Sequence, residues 1–147
     1  MKRVVLLAED NCATADLMLE IFSSAVEGVV LTVVRDGEEA LDYVHMRGAH
    51  QNAARPVLII LDVQLPKLDG GAVLQTIRAQ NHLRDVPVIM FSSLQPQSEV
   101  RRFYEMGANC CVPKSSDWGE FSETVRSMAQ FWLSRAYLPS FGEGLES

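Results

Sequence analysis

Apolar residues follow two alternating patterns along this chain. Val4-Val5-Leu6-Leu7-Ala8 and Val57-Leu58-Ile59-Ile60-Leu61 are unbroken apolar runs. Such runs are what a strand buried on both faces of a sheet requires, and each stops abruptly at an acid, Glu9 in one case and Asp62 in the other. Residues 29–34, 87–91 and 110–112 predict three further strands. Between the strands the apolar positions take helical spacing. Met18, Ile21, Phe22 and Ala25 extend a helix from Ala15 that Gly28 ends. Asp36 with Glu39 has capping-box form and opens a helix through Ala40, Leu41 and Val44. Val73, Leu74 and Ile77 follow Gly70-Gly71, and a helix over 97–106 stops at Gly107. Asp117 with Glu120 repeats the capping box, and Phe121, Val125, Met128 and Trp132 carry a last helix toward Leu138, closed by Pro139. Residues 48–55 are polar, rich in Ala and without periodicity, which reads as a loop insertion.

Five strands alternating with five helices predict an α/β fold, because parallel neighbours need crossover connections that cover both sheet faces with helices. Ligands of such open sheets bind beyond the carboxyl ends of the strands, so the polar residues that end the strands are the ones to weigh. At 147 residues and 48% hydrophobic the chain suits a single domain with a real core. The formal charge of −6 offers no basic field for nucleic acid or an anionic membrane, and no apolar run is long enough to span a bilayer. Lys2-Arg3 precedes an apolar stretch too short for a signal peptide, and three cysteines without Cys-x-x-Cys spacing suggest neither a disulfide framework nor a zinc site. A reduced, cytoplasmic setting fits. The adjacent Cys110 and Cys111 on a strand point to opposite faces and are badly placed to bridge.

The strand ends contribute Glu9-Asp10, Asp62, Ser92 and Lys114: three carboxylates, a hydroxyl and an ammonium on one sheet edge. Singly, each has a bland reading, as a helix cap, a turn or a surface lysine. Together, carboxylates this crowded repel unless a divalent cation or protonation relieves them. Mg²⁺ suits an all-oxygen site that keeps waters and shares phosphate oxygens. His45, His50 and His82 lack ligand spacing and read as surface residues.

These residues resemble the receiver domain of two-component response regulators. Glu9-Asp10 matches its acidic pair, Asp62 its phospho-acceptor, Ser92 its switch hydroxyl and Lys114 its active-site lysine. The 30 residues from Asp62 to Ser92 and the 22 from Ser92 to Lys114 match the family's spacing, and residues 61–70 (LDVQLPKLDG) resemble its acceptor loop. The resemblance implies a flavodoxin-like, doubly wound five-stranded parallel sheet in the order 2-1-3-4-5, with residues 1–138 the receiver domain and 139–147 a short tail. It implies Mg²⁺ held by Asp10, Asp62 and the backbone carbonyl of Gln64, with Glu9 acting through a metal-bound water. Lys114 would pair with a phosphoryl oxygen or, before modification, with Asp62. It also implies a signalling protein and not an enzyme, partnered by a histidine kinase. Lys67 and Asp69 are expected to shape the acceptor loop, and Gly70 to take a positive φ.

The polar insertion and the ending Phe131-Trp132-Leu133 with Leu138-Pro139 most resemble single-domain regulators paired with bacterial phytochrome kinases, relatives that pair through the last helix. The apolar residues Phe131, Trp132, Leu133, Tyr137 and Phe141 exceed what one helix face buries, so either a partner covers them or the tail folds back. With no room for an effector region after Pro139, output is expected through the receiver surface itself. Two positions depart from the family pattern: Cys111 stands where a switch aromatic is usual, and Ser115 follows Lys114 where proline is usual. Two other functions compete. One is a receiver-like interaction module that takes no phosphate; the other is an aspartyl-phosphate hydrolase of the haloacid-dehalogenase type, disfavoured because Gln64 stands where its second acid is needed.

Overall fold

A computed structural model describes residues 2–93 and 95–139 of the chain. The described residues form one parallel sheet of β1 (Arg3–Ala8), β2 (Val29–Val34), β3 (Leu58–Asp62), β4 (Val88–Ser92) and β5 (Cys110–Pro113), in the order β2-β1-β3-β4-β5. The crossovers carry α1 (Cys12–Ala25), α2 (Gly37–His45), α3 (Gly70–Ala79), α4 (Gln97–Glu105) and α5 (Trp118–Gln130). This is the expected flavodoxin-like topology.

Side chains on successive strand residues face opposite ways, and the core divides accordingly. Leu6, Ile59, Leu61, Val88 and Met90 pack with Val44, Leu74, Ile77 and Phe103 beneath α2, α3 and α4. Val5, Leu7, Leu58, Ile60, Ile89 and Phe91 pack with Met18, Phe22, Phe121 and Val125 beneath α1 and α5. Covered on both sides, the central strands have no place for a polar side chain until they end, which is why their sequences are unbroken apolar runs. Cys110 and Cys111 join opposite halves of the core and all three cysteines are free, as the strand alternation requires.

Four helices begin at a side-chain cap: Asn11, Asp36, Asp69 and Asp117 each accept a backbone N–H three residues on. The two expected capping boxes are half formed. Asp36 and Asp117 cap as predicted, but the Glu39 carboxylate takes the Arg35 N–H and the Glu120 carboxylate takes the Ser115 hydroxyl instead of the cap residue's own N–H.

Several expectations are corrected. The first helix starts at Cys12, three residues before Ala15, because Asn11 supplies the cap. The last helix does not run to Leu138: α5 gives way after Gln130 to a π-helical turn, Phe131–Arg135, and Ala136 is extended. The 48–55 insertion contains a 3₁₀ turn at Gly48–His50, and a second lies at Asn81–Leu83. His50 is not a plain surface residue, since its ring packs on Tyr43 and its Nε2 lies 3.0 Å from Glu39 Oε2. At the chain end Leu133 is buried and Trp132 and Leu138 pack against the α1/α5 core, while Phe131 and Tyr137 are exposed. Phe141 and all but the first residue of the 139–147 tail lie outside the described residues.

Candidate functional site

The sheet register builds the site. Ala8 pairs with Leu61, so the next residues, Glu9 and Asp62, emerge side by side at the carboxyl edge. Ser92 pairs with Pro113, which brings Lys114 one step past the end of β5, its N–H donating to the Ser92 carbonyl at 2.6 Å. One carboxylate oxygen from each of Glu9, Asp10 and Asp62 lies within 4.8 Å of the others, so the structure gathers the three predicted acids.

Their surroundings differ. Glu9 is 1% exposed and Asp62 7%, whereas Asp10 is open to solvent. Lys114 Nζ donates to Glu9 Oε1 at 2.8 Å and to Asp62 Oδ2 at 3.0 Å, and lies 5.7 Å from the centre of the Phe91 ring. The second Glu9 oxygen accepts the Asn11 N–H and the second Asp62 oxygen accepts the Gln64 N–H. Burial pushes the Glu9 carboxyl above its usual range, against the pull of the Lys114 ammonium and with a push from Asp62. Burial alone would lower Lys114, but the hydrogen bonds to Glu9 and Asp62 outweigh it and hold the ammonium above its ordinary value. The ammonium is thus fixed as a cation between two buried carboxylates.

Not every predicted residue joins this network. The Ser92 hydroxyl is buried at the same sheet edge but donates to the Ser93 carbonyl, not to an acid. Gln64 touches Asp62 through its N–H. Cys111 takes no part; its backbone N–H donates to the hydroxyl of Tyr104, an α4 aromatic that sequence reading did not single out. Ser115 ties down the loop after Lys114, accepting the Asp117 N–H and donating to Glu120. Asn11, also missed, was legible as a cap residue three positions before Thr14.

The loop from β3 to α3 is tightly specified. Its positive φ belongs to Lys67, at 70°, and not to Gly70 as expected. The Leu68 N–H reaches back to the Pro66 carbonyl at 2.7 Å, a γ-turn centred on Lys67. Gly70 is required for closeness instead: a Cβ there would fall 2.4 Å from the Asp62 carbonyl oxygen.

The donor set fits a hard divalent cation. All three acids offer oxygen, Asp10 stands open to solvent, and repulsion among the carboxylates is only partly relieved by one ammonium. Among the described residues no helix is long and apolar enough to cross a membrane.

Comparison with known proteins agrees. Residues 5–126 match the family described as response regulator receiver domain. The chain is 33% identical over 138 residues to the response regulator Rcp1 of Synechocystis sp. strain PCC 6803, with 94% of each protein covered. The structure of the phosphorylated cyanobacterial phytochrome response regulator RcpA superposes with a TM-score of 0.90 at 35% identity, covering 95% of this chain and 100% of that one. The Mn²⁺-bound form of Rcp1 also superposes with a TM-score of 0.90 at 33% identity, covering 94% and 99%. With the expected strand order, the acids and lysine converged at one sheet edge and a family match over most of its length, this chain belongs to the response regulator receiver domain family.

Proposed function

We propose that this protein is a single-domain phosphorylation switch in which Asp62 accepts a phosphoryl group from a histidine kinase in an Mg²⁺-dependent reaction. The observation that carries this reading is the Lys114 ammonium clamped between the buried Glu9 and Asp62 carboxylates with Asp10 beside them. One Asp62 oxygen attacks phosphorus while the bond from phosphorus to the donor breaks and its electron pair leaves with the donor. An anion attacks an anion, so positioning and charge neutralisation must supply most of the acceleration. Asp10, Asp62 and the Gln64 backbone carbonyl would hold the metal, with Glu9 acting through a metal-bound water. When bound, Mg²⁺ supplies charge neutralisation at the phosphoryl oxygens. Lys114 then exchanges its bond to Asp62 for one to a phosphoryl oxygen. Ser92 turns from the Ser93 carbonyl to donate to the same group, drawing the loop after β4 and biasing the output surface by about 1–3 kcal/mol.

We take residues 1–138 as the receiver unit, 139–147 as a tail, and the role as signalling rather than enzymatic. The similar proteins described as phytochrome response regulators support a phytochrome-type kinase as partner. The net charge of −6 speaks against nucleic acid, and the absence of a membrane-spanning helix among the described residues is compatible with a cytoplasmic setting. Phe131, 54% exposed, and the fully exposed Tyr137 support self-association through the segment that follows α5. The test is incubation with a small phosphodonor and Mg²⁺ followed by intact mass. One added phosphoryl group that disappears in Asp62→Asn is the expected result. An unmodified wild-type chain would leave only an interaction module of the same fold.

A further inference from the structure

The start of α2 is far from Asp62 in sequence, yet it grips the middle of the acceptor loop. The Gly37 N–H donates to the Pro66 carbonyl at 3.0 Å, the same oxygen that closes the γ-turn from Leu68. Gly37 is buried, and a Cβ built on it would lie 2.0 Å from the Leu68 carbonyl oxygen and 2.4 Å from the Leu68 Cβ. The first contact is to backbone, so no side-chain adjustment can relieve it. On either side of Gly37 the carboxylates of Asp36 and Glu38 lie 3.5 and 3.7 Å from Lys67 Nζ. The ends of the loop are fixed by its own bonds, Gln64 N–H to Asp62 Oδ1 and Gly70 N–H to the Val63 carbonyl. Among the described residues, the backbone of the strained turn at Lys67 is held by the Pro66 carbonyl alone, the acceptor it shares with Gly37.

We propose that Gly37 is a positioning residue for the acceptor site: by presenting an N–H and no side chain, it sets where the Gln64 carbonyl lies relative to Asp10 and Asp62. The inference rests on the reading above, in which that carbonyl helps to hold Mg²⁺. Any larger residue at 37 pushes the 66–68 turn outward, and the displacement passes through Leu65 to the Gln64 backbone. Changing a group that holds a metal ligand in place commonly costs about ten- to a hundredfold in metal affinity.

The experiment compares wild type, Gly37→Ala and Gly28→Ala. Gly28 is a control of the same chemistry at the other end of the sheet, strained by its φ of +73° but with nothing within 4 Å of an added Cβ. Mg²⁺ affinity is measured by calorimetry, and phosphoryl incorporation from a small phosphodonor by intact mass. Gly37→Ala is expected to bind Mg²⁺ roughly ten- to a hundredfold more weakly, with slow incorporation that recovers as Mg²⁺ is raised. Gly28→Ala loses stability and keeps its affinity. Equal Mg²⁺ affinity in the two variants would overturn the proposal. Should Gly37→Ala not fold, the wild-type chain decides, because coupling between sites is reciprocal: saturating Mg²⁺ must slow hydrogen exchange at the Gly37 and Leu68 amides, and unchanged exchange there counts against the brace. A wild type that binds Mg²⁺ but takes no phosphoryl group would remove the phosphorylation reading alone, with the affinities still deciding the role of Gly37.

Discussion

Glu9 concentrates the conflict in this site. It is the most deeply buried acid of the described residues, and burial raises its pKa above the ordinary 4.5 although Lys114 is 2.8 Å away. An acid whose pKa is higher folded than unfolded favours folding while protonated, and becomes a burden once the pH passes its folded value. Glu9→Gln keeps an acceptor for Lys114 and removes that burden. Its melting temperature without metal should therefore exceed wild type at pH 7, by about 2–4 °C for each kcal/mol recovered in a chain of this size, and the gain should vanish below pH 4.5. Melting curves across that range check the sign; a loss at pH 7 would mean that the ion pair outweighs desolvation. Glu9, Asp10, Asp62 and Lys114 were all legible as candidates because apolar runs end on them. That Glu9 is buried and bonded directly to Lys114 was not legible, since the bond spans 105 positions of chain.

Among the elements, α4 stands apart. The other four α-helices start at an Asn or Asp whose side chain accepts a backbone N–H, but Pro96 before α4 gives no such bond. Phe103 is its only buried residue, whereas α1, α3 and α5 each bury four or more. Few buried contacts and a start without a side-chain cap make a locally weak element. Amide hydrogen exchange is expected to be faster in Gln97–Glu105 than in α1, α3 or α5, and protection equal to theirs would contradict this. The weakness bears on the proposed switch, because α4 follows Ser92 and a helix of low local stability would be easily moved if that hydroxyl changed partner. The helix itself was readable, with Gly107 marking its end. Its link to β5 through Tyr104 and the Cys111 N–H was not, because the bond depends on how the sheet edge faces the helix.

For the whole molecule, three acids brought together by folding make metal binding and stability one equilibrium. The separated acids of the unfolded chain are a poor site, so Mg²⁺ at the proposed site would favour the folded form, by about 2.7 kcal/mol at a hundredfold excess over its dissociation constant. The melting temperature should rise by roughly 5–10 °C under those conditions. A chelator should reverse the rise and Asp10→Ala should abolish it. An equal rise in Asp10→Ala would place the metal elsewhere.

The fold was determined locally, because apolar runs of strand length, helical spacings and cap residues each act over a few positions, and right-handed crossovers leave few ways to assemble them. The identities of the acids and the lysine followed too, since a polar residue that ends a buried strand must lie at the sheet edge. Only the tertiary structure decided what those groups do to one another. The sharing of Lys114 between Glu9 and Asp62 and the hold of Gly37 on the loop after β3 both join segments remote in sequence. No local pattern encodes such contacts, because their distances are set by how strands align and helices pack, and a shift of one residue in register would undo each of them.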